Sequence, residues 1–257
     1  MAEHIPQLAG APYYGHDGNQ GDALLWGRQL GAELKHLSGC QGHGSLAHPH
    51  GILITWALLI EGGFQVNTAG ARFSNEHQGY SEQSVAVLAQ PDGIAWDIFD
   101  QRLYDFAQAF PDFRDAVAAG AVKSAATMDD LAAITGVPAA ALAQTFADVA
   151  ACQAGARADA FGRDFTAKPA LVAPYYAVRV TGALFHTQGG LNIDAQARVL
   201  RTDGTPLPNL FAGGGAACGV SGPKISGYLS GNGLMTAIAF GALAGNAAAR
   251  QAAASQG

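Results

Sequence analysis

The sequence predicts a mixed α/β chain, and three observations carry that reading. Short alternating or β-branched runs recur between helix-type segments through the middle of its 257 residues. A short apolar strand, Leu210 to Ala212, runs directly into consecutive glycines. A long Ala/Leu/Ile-rich helix is expected from Asn232 toward the C-terminus.

The elements follow in three parts. The first reaches about Ser38: a Gly/Asn/Gln loop from Gly15 to Gly21, then a helix expected over Asp22 to Leu37. Leu24, Leu25, Leu30, Ala32 and Leu34 give that helix an apolar side. In the second part, Gly62 to Asn67 and Arg72 to Ser74 flank Thr68-Ala69-Gly70, the pattern of a turn between two short strands. Ile94 to Phe99 reads as a further strand. Thr127 caps a helix, with Asp130 in the capping-box position; Gly136 ends it, and Pro138 fits the first turn of the next, which runs to about Ala154. The third part begins near Pro174. Tyr176 to Val180 and Ala197 to Leu200 read as strands, with Asp203-Gly204 as a turn, and the tail from Gln251 to Gly257 is expected to fray.

Composition narrows the function. The charged fraction is 13%, against about 25% in ordinary soluble domains, and the 34 glycines point to backbone packed closely on itself, a cofactor or a partner. A formal net charge of -6 with no basic stripe argues against nucleic acid. Cys40, Cys152 and Cys218 are far apart and form no C-x-x-C, so reduced thiols in the interior are expected. Met1 to Gly10 lacks the pattern of a secretory signal, and Ile52 to Ile60 is too short to cross a bilayer, so a cytoplasmic location is the default expectation. His43, His48 and His50 have no nearby carboxylate or cysteine to complete a ligand set, and no metal site is expected.

Two glycine-rich stretches, Leu210 to Gly222 and Gly227 to Leu234, lie close together. Glycine backbone approaches a flat or anionic ligand to van der Waals distance, and a helix opening in Ser/Gly/Asn presents free N–H groups. Together they suit a pyrophosphate or the edge of a reduced isoalloxazine. Close strand–helix packing explains the same glycines equally well. Nowhere does a strand lead into G-x-G-x-x-G with a downstream acid, and no G-x-x-x-x-G-K-[ST] loop is present.

Several ordered motifs support a resemblance. Phe161-Gly162-Arg163, Pro174-Tyr175-Tyr176-Ala177, His186-Thr187-Gln188-Gly189-Gly190-Leu191, Leu210-Phe211-Ala212-Gly213-Gly214 and Ser230-Gly231-Asn232-Gly233-Leu234 stand in one order. They are similar to the F-G-R, P-Y-Y-A, H-T-x-G-G-L, L-F-A-A-G and G-G-N-x-L of the fumarate reductase and succinate dehydrogenase flavoprotein superfamily, which includes ketosteroid and tricarballylate dehydrogenases. Upstream, Gly18 to Ala23 resembles its T-G-D-G stretch, and Val66-Asn67 with Arg72 to Glu76 its V-N-x-x-G-x-R-F-x-N-E. The resemblance covers nearly the whole chain and is closest to the superfamily's C-terminal portion.

The resemblance implies an FAD-binding domain of the glutathione reductase type, partial here, over residues 1–38 and 170–257. An inserted α+β capping domain over 39–169 would close over the flavin. It implies an FAD-dependent oxidoreductase acting on CH–CH groups: hydride passes between flavin N5 and one carbon, and a proton is exchanged at its neighbour. Among catalytic candidates, Arg163 matches the proton-donating arginine of the fumarate-reducing members; the alternative is an arginine bound to a carboxylate at a domain boundary. His186 would donate to a substrate carboxylate or carbonyl, or be a capped loop histidine. His48 matches a substrate-site histidine, or sits in a structural turn. Tyr228 stands where the dicarboxylate enzymes carry an arginine, and would hydrogen-bond a carbonyl or pack on the flavin. Trp56 and Leu59 replace a Glu and an Arg, which makes fumarate and succinate poor candidates and favours a carbonyl-bearing or apolar substrate. Cofactor contacts are expected at Asp22, Gly189, Gly190, Gly214, Gly215, Ser230, Gly231, Asn232, Gly233 and Leu234. Gly215 cannot make the ribityl bond of the glutamate often found there. Arg72 and Glu76 are expected to form a structural pair.

The superfamily's dinucleotide-binding βαβ unit is absent from this sequence, which leaves an unpaired apolar sheet edge as an expectation. Three readings stay open: a chain completed by a separate polypeptide that supplies the nucleotide-binding half, a truncated or degenerate product, or a ligand-binding or interaction module that reuses the scaffold.

Overall fold

The computed structural model describes residues 1–255. In chain order its principal elements are α1 (Asp22–Gln29), β1 (Leu34–Lys35), β2 (Cys40–Ala47), β3 (Ile52–Leu53), α2 (Ala57–Ile60), β4 (Phe64–Asn67) and α3 (Tyr80–Leu88). There follow β5 (Ile94–Asp100), α4 (Gln101–Ala107), α5 (Pro111–Ala118), β6 (Val122–Ala125), α6 (Met128–Thr135) and α7 (Ala139–Gln153). The chain ends with β7 (Tyr175–Thr187), β8 (Gly190–Leu191), β9 (Arg198–Leu200), β10 (Pro206–Phe211) and α8 (Asn232–Ala254). The mixed α/β class is as expected.

Two compact units divide these elements. Unit 1 holds residues 1–9, 14–41 and 185–257; unit 2 holds 10–13 and 42–184. The second division falls at 184/185 and not near 170, because β7 is a sheet strand of unit 2. It pairs with β5 from Tyr175 to Thr181 and with β6 from Tyr175 to Val178.

Unit 2 is built on a six-stranded sheet in the order β3-β2-β7-β5-β4, with β6 also on β7. One face packs Val178, Val180, Phe99, Leu103 and Phe113 into a core. The other packs Ala177, Trp96, Ile98, Phe64, Leu131 and Leu142. Alternate residues of β5 and β7 therefore feed both faces, which is why β5 is buried along its whole length. The helices close as the sequence suggests: Thr127 Oγ1 accepts from Asp130 N at 3.1 Å, Asp130 Oδ2 accepts from Thr127 N at 3.1 Å, and Gly136 ends α6. Pro138 takes the cap position of α7, one residue before the expected first turn.

Three expectations change. The helix expected to reach Leu37 stops at Gln29, where Gly31 turns with φ +80°. Arg72 to Ser74 forms no strand. Asn67 Oδ1 caps the turn by accepting from Ala69 N and Ala71 N, and β4 pairs with β5 instead. At the C-terminus, Gln251 to Ala254 continue α8 where fraying was expected; Gln256 and Gly257 lie outside the described residues.

A carboxyl sits inside the sheet of unit 2. Asp97 is fully buried; it accepts from Gln65 Nε2 at 2.7 Å and from the Ser45 hydroxyl. Burial pushes its carboxyl up to about 7, against the two hydrogen bonds and with the help of the Glu76 charge. The native state therefore holds a proton that the unfolded chain releases near pH 4, so this group's contribution falls as pH rises from about 4 to about 7. Asp97→Asn is expected to abolish that slope, worth about 4 kcal/mol at neutral pH, in denaturant midpoints measured across the interval. An unchanged slope would refute the assignment.

Unit 1 is smaller and looser. Its core joins Ala32, Leu191, Val199, Leu207, Ala212 and Ala217, with Phe240 of α8 against it. Leu210 and Phe211, expected as a buried strand, are half-buried at the end of β10. Among the described residues, no helix is long and apolar enough to cross a membrane.

Candidate functional site

In unit 1, the end of β7, the turn after it and the loop leading into α8 bring several expected residues together. His186 Nε2 lies 3.4 Å from the Tyr228 hydroxyl, with the rings edge to face at 5.6 Å. Gln188, buried, places Nε2 2.8 Å from His186 Nδ1. Thr187 O lies 3.2 Å from the same ring nitrogen, so Nδ1 faces Gln188 and the backbone while Nε2 faces Tyr228. Gly233 adjoins the pair: a Cβ on it would stand 3.8 Å from His186 Cε1.

The start of α8 is suited to an anion or an electron-rich edge. The helix is 23 residues long and its cap residue, Gly231, supplies no side-chain cap. Asn232 N donates to Leu229 O at 3.1 Å, and the positive end of the helix dipole lies beyond it at Gly233 and Leu234. Gly215 and Gly231 have open space where a side chain would lie. Asn232 is buried and donates to Ser221 Oγ at 2.9 Å and Leu229 O at 2.8 Å, while its Oδ1 has no partner among the described residues. An orphaned buried acceptor and an open glycine cradle together fit the flavin end of FAD. Ser230 lies in the same turn, Leu234 is exposed, and Gly214 turns toward Ala237 of α8. Asp22 is exposed at the first residue of α1.

Two expected cofactor glycines have another explanation. A Cβ on Gly189 would come within 2.6 Å of His36 O, and one on Gly190 within 2.3 Å of the Ala217 carbonyl carbon. Gly190 pairs with Lys35 and its neighbour Leu191 bridges to Ala217, so chain packing fills this space. Gly190→Ala is expected to destabilise the protein by about 1–3 kcal/mol, measured by chemical unfolding. A neutral substitution would show that the contact relaxes freely.

Arg163, expected either as a proton donor or as an arginine bound to a carboxylate, is buried in unit 2: NH1 lies 3.1 Å from Glu76 Oε2 and donates to Gly63 O at 2.9 Å, NH2 donates to Leu59 O at 2.7 Å, and Nε has no partner among the described residues. Arg72 joins Glu76 at 2.7 Å and also pairs with Asp159, and both guanidinium groups lie over the Phe165 ring. Two cations and two carboxylates balance in a closed cluster of unit 2. Burial pushes the Glu76 carboxyl up, but the Arg72 hydrogen bond and the charges of Arg72 and Arg163 outweigh it and hold it below the usual range. The second reading of Arg163, an arginine bound to a carboxylate, describes this geometry.

His48 follows β2 in unit 2, in a turn, half-buried, its N–H bonded to Arg179 O at 2.8 Å. Burial, then the charges of Arg179 and His50, hold its imidazole below the ordinary range. Among the described residues no group of three His, Cys, Asp or Glu could hold a metal. Cys40 and Cys152 are buried, but Cys218 is half-buried with Sγ 3.2 Å from His36 Nδ1, which departs from the expected interior thiol.

Sequence reading missed an aromatic cluster in unit 2. His43 stacks on Tyr80 at 5.2 Å and meets Trp56 edge-on at 5.6 Å. Ser45 N donates to His43 Nδ1 at 3.1 Å, and burial pulls the imidazole down to about 3, so the ring stays neutral. Trp56 Nε1 is buried without a partner among the described residues, and Leu59 is in the core. No sequence spacing links these three rings; only the sheet does.

The comparisons with known proteins decide the family. The FAD binding domain family matches residues 1–234. The chain belongs to this FAD-binding flavoprotein family. A probable fumarate reductase of Shewanella frigidimarina is 33% identical over 232 residues, 90% of this chain and 38% of that protein. The open conformation of a flavocytochrome c3 fumarate reductase superposes with a TM-score of 0.75 at 31% identity, over 97% of this chain and 43% of that one. A 3-ketosteroid-delta4-(5alpha)-dehydrogenase from Rhodococcus jostii, solved with 4-androstene-3,17-dione, gives 0.68 at 27%, over 96% of this chain and 49% of that one. The chain thus spans less than half the length of these relatives. The family's relatives are FAD-dependent oxidoreductases acting on CH–CH groups.

Proposed function

We propose that this chain carries the flavin-facing edge and the capping unit of an FAD-dependent oxidoreductase acting on a C–C bond beside a carbonyl. The observation that carries the reading is the His186–Tyr228 pair set against Gly233 at the uncapped start of α8. Bound FAD would supply hydride transfer at N5. Gly215, Gly231 and Gly233 would hold the ring's electron-rich edge by backbone N–H groups and dipole, and Asn232 Oδ1 would accept from a ring N–H. The Tyr228 hydroxyl would donate to the substrate carbonyl oxygen, stabilising the enolate that develops as the adjacent carbon exchanges its proton. His186, held at Nδ1 by Gln188 and Thr187, would orient that hydroxyl through Nε2 or share the oxygen.

Substrate polarity follows from position 228: Tyr228, an uncharged donor, stands where a dicarboxylate enzyme would need an arginine. A flat, uncharged, carbonyl-bearing substrate suits that group, as the dione suits the Rhodococcus jostii relative. With the flavin bound, turnover of a cyclic enone or ketone by Tyr228→Phe and His186→Ala tests the reading. Loss of turnover with flavin retained supports it; activity at the parent level in both would refute it.

A further inference from the structure

Gln188 stands at the position that the H-T-x-G-G-L pattern leaves open, so the resemblance gives it no role. Its placement is nevertheless closely held. It follows β7 directly, and its backbone is tied on both sides: Gln188 N donates to Gly39 O at 2.8 Å, and Gln188 O accepts from Gly219 N at 2.8 Å. Both partners are glycines with a neighbour where a side chain would lie. A Cβ on Gly39 would come within 2.3 Å of Gly222 O and 3.3 Å of Gln188 Cβ. One on Gly219 would stand 2.7 Å from Gln188 Oε1, with Asn232 Oδ1 next at 3.4 Å. The Gln188 side chain is 4% exposed and ends with Nε2 2.8 Å from His186 Nδ1.

That contact competes with another. Thr187 O lies 3.2 Å from the same ring nitrogen, and a carbonyl can only accept. A neutral imidazole carries one proton, so Nδ1 either accepts from the Gln188 amide or donates to Thr187 O, never both. The Gln188 contact is the shorter of the two. Thr187 is exposed, so its carbonyl can turn to water, whereas the buried Gln188 amide has no such alternative.

We propose that Gln188 is the positioning residue that sets the tautomer of His186. With Nδ1 accepting from Gln188, the ring proton sits on Nε2, which faces the Tyr228 hydroxyl at 3.4 Å. Tyr228 then receives a hydrogen bond from the ring and directs its own proton outward, to the substrate carbonyl. The other tautomer reverses this: a bare Nε2 accepts the tyrosine's proton and turns it away from the carbonyl. The inference rests on the functional reading above and adds to it the direction of the hydrogen bond at His186.

The test reads the tautomer first, on the full chain without substrate or flavin. Nitrogen-15 labelling covers the eight histidines, and His186→Ala identifies the ring signals that belong to His186. The parent is expected to carry the ring proton on Nε2. Gln188→Met keeps the length of the side chain and removes the amide, so the proton is expected to move to Nδ1, toward Thr187 O. Gly219→Ala, whose methyl would push aside the far end of the amide, is expected to shift the ring in the same way with Gln188 still present. With FAD bound and an enone as substrate, both variants are expected to lower kcat by about 10–100-fold, since the tyrosine hydroxyl is misdirected and not removed. KM and flavin occupancy are expected to stay near the parent's. A parent ring with its proton on Nδ1, or a Gln188→Met ring that keeps it on Nε2, would overturn the proposal. A tautomer that moves as expected with no fall in kcat would sink the functional reading and leave the hold of Gln188 on the ring standing.

Discussion

Glu76→Ala is expected to destabilise unit 2 by about 3–5 kcal/mol, the cost of breaking a buried ion pair from one side. The carboxylate is almost wholly enclosed, takes Arg72 at 2.7 Å and Arg163 at 3.1 Å, and accepts the Gln65 N–H at 3.1 Å. Without it, two buried guanidinium groups face one remaining carboxylate, Asp159. The pH dependence has a definite sign. The Glu76 carboxyl is depressed on folding, so its stabilisation is present above the unfolded pKa and is lost as pH falls. A urea titration of the variant at neutral pH measures the effect. The exposed Arg157–Asp148 pair is the control, where Asp148→Ala is expected to cost less than about 1 kcal/mol. Equal, small effects at both sites would remove the structural role assigned to Arg163's cluster.

Tyr228→Phe is expected to lower kcat by about 10²–10³-fold, the usual cost of removing one hydrogen bond to a developing oxyanion. The substitution keeps the ring against His186 and removes only the hydroxyl, so flavin occupancy and fold should stay at the parent level. His186→Ala should lose a similar factor. The double variant should lose little more than either alone, because the two groups act on one oxygen. Steady-state kinetics on the FAD-loaded protein with an enone substrate decide it. A tyrosine that only packs on the ring would raise KM and leave kcat intact.

Much of this was legible in the sequence, and the exceptions share a cause. The capping box at Thr127 and Asp130, the strand at Ile94 and the final helix were readable because each depends on neighbours within a few residues. His186 and Tyr228 were named by motif, yet their 3.4 Å approach was invisible, since 42 residues separate them. Arg163 shows the limit most clearly. The F-G-R motif singled it out, but which carboxylate it meets is set by Glu76, 87 residues upstream. The same holds for Gly190, whose lack of a side chain serves a crossing with Ala217 that motif order alone had assigned to a cofactor. The cluster of His43, Trp56 and Tyr80 left no local trace, because its members come from a strand, the residue before a short helix, and the first turn of another.

The most direct test of the flavin-facing assignment is a backbone amide shift map of the protein as FAD is added. The account predicts that the amides of Gly215, Gly231, Gly233 and Leu234 shift together with the His186 ring, while those of Gly189 and Gly190, already packed on the chain itself, move little. Saturating flavin that leaves Gly215, Gly231 and Gly233 unmoved would contradict it.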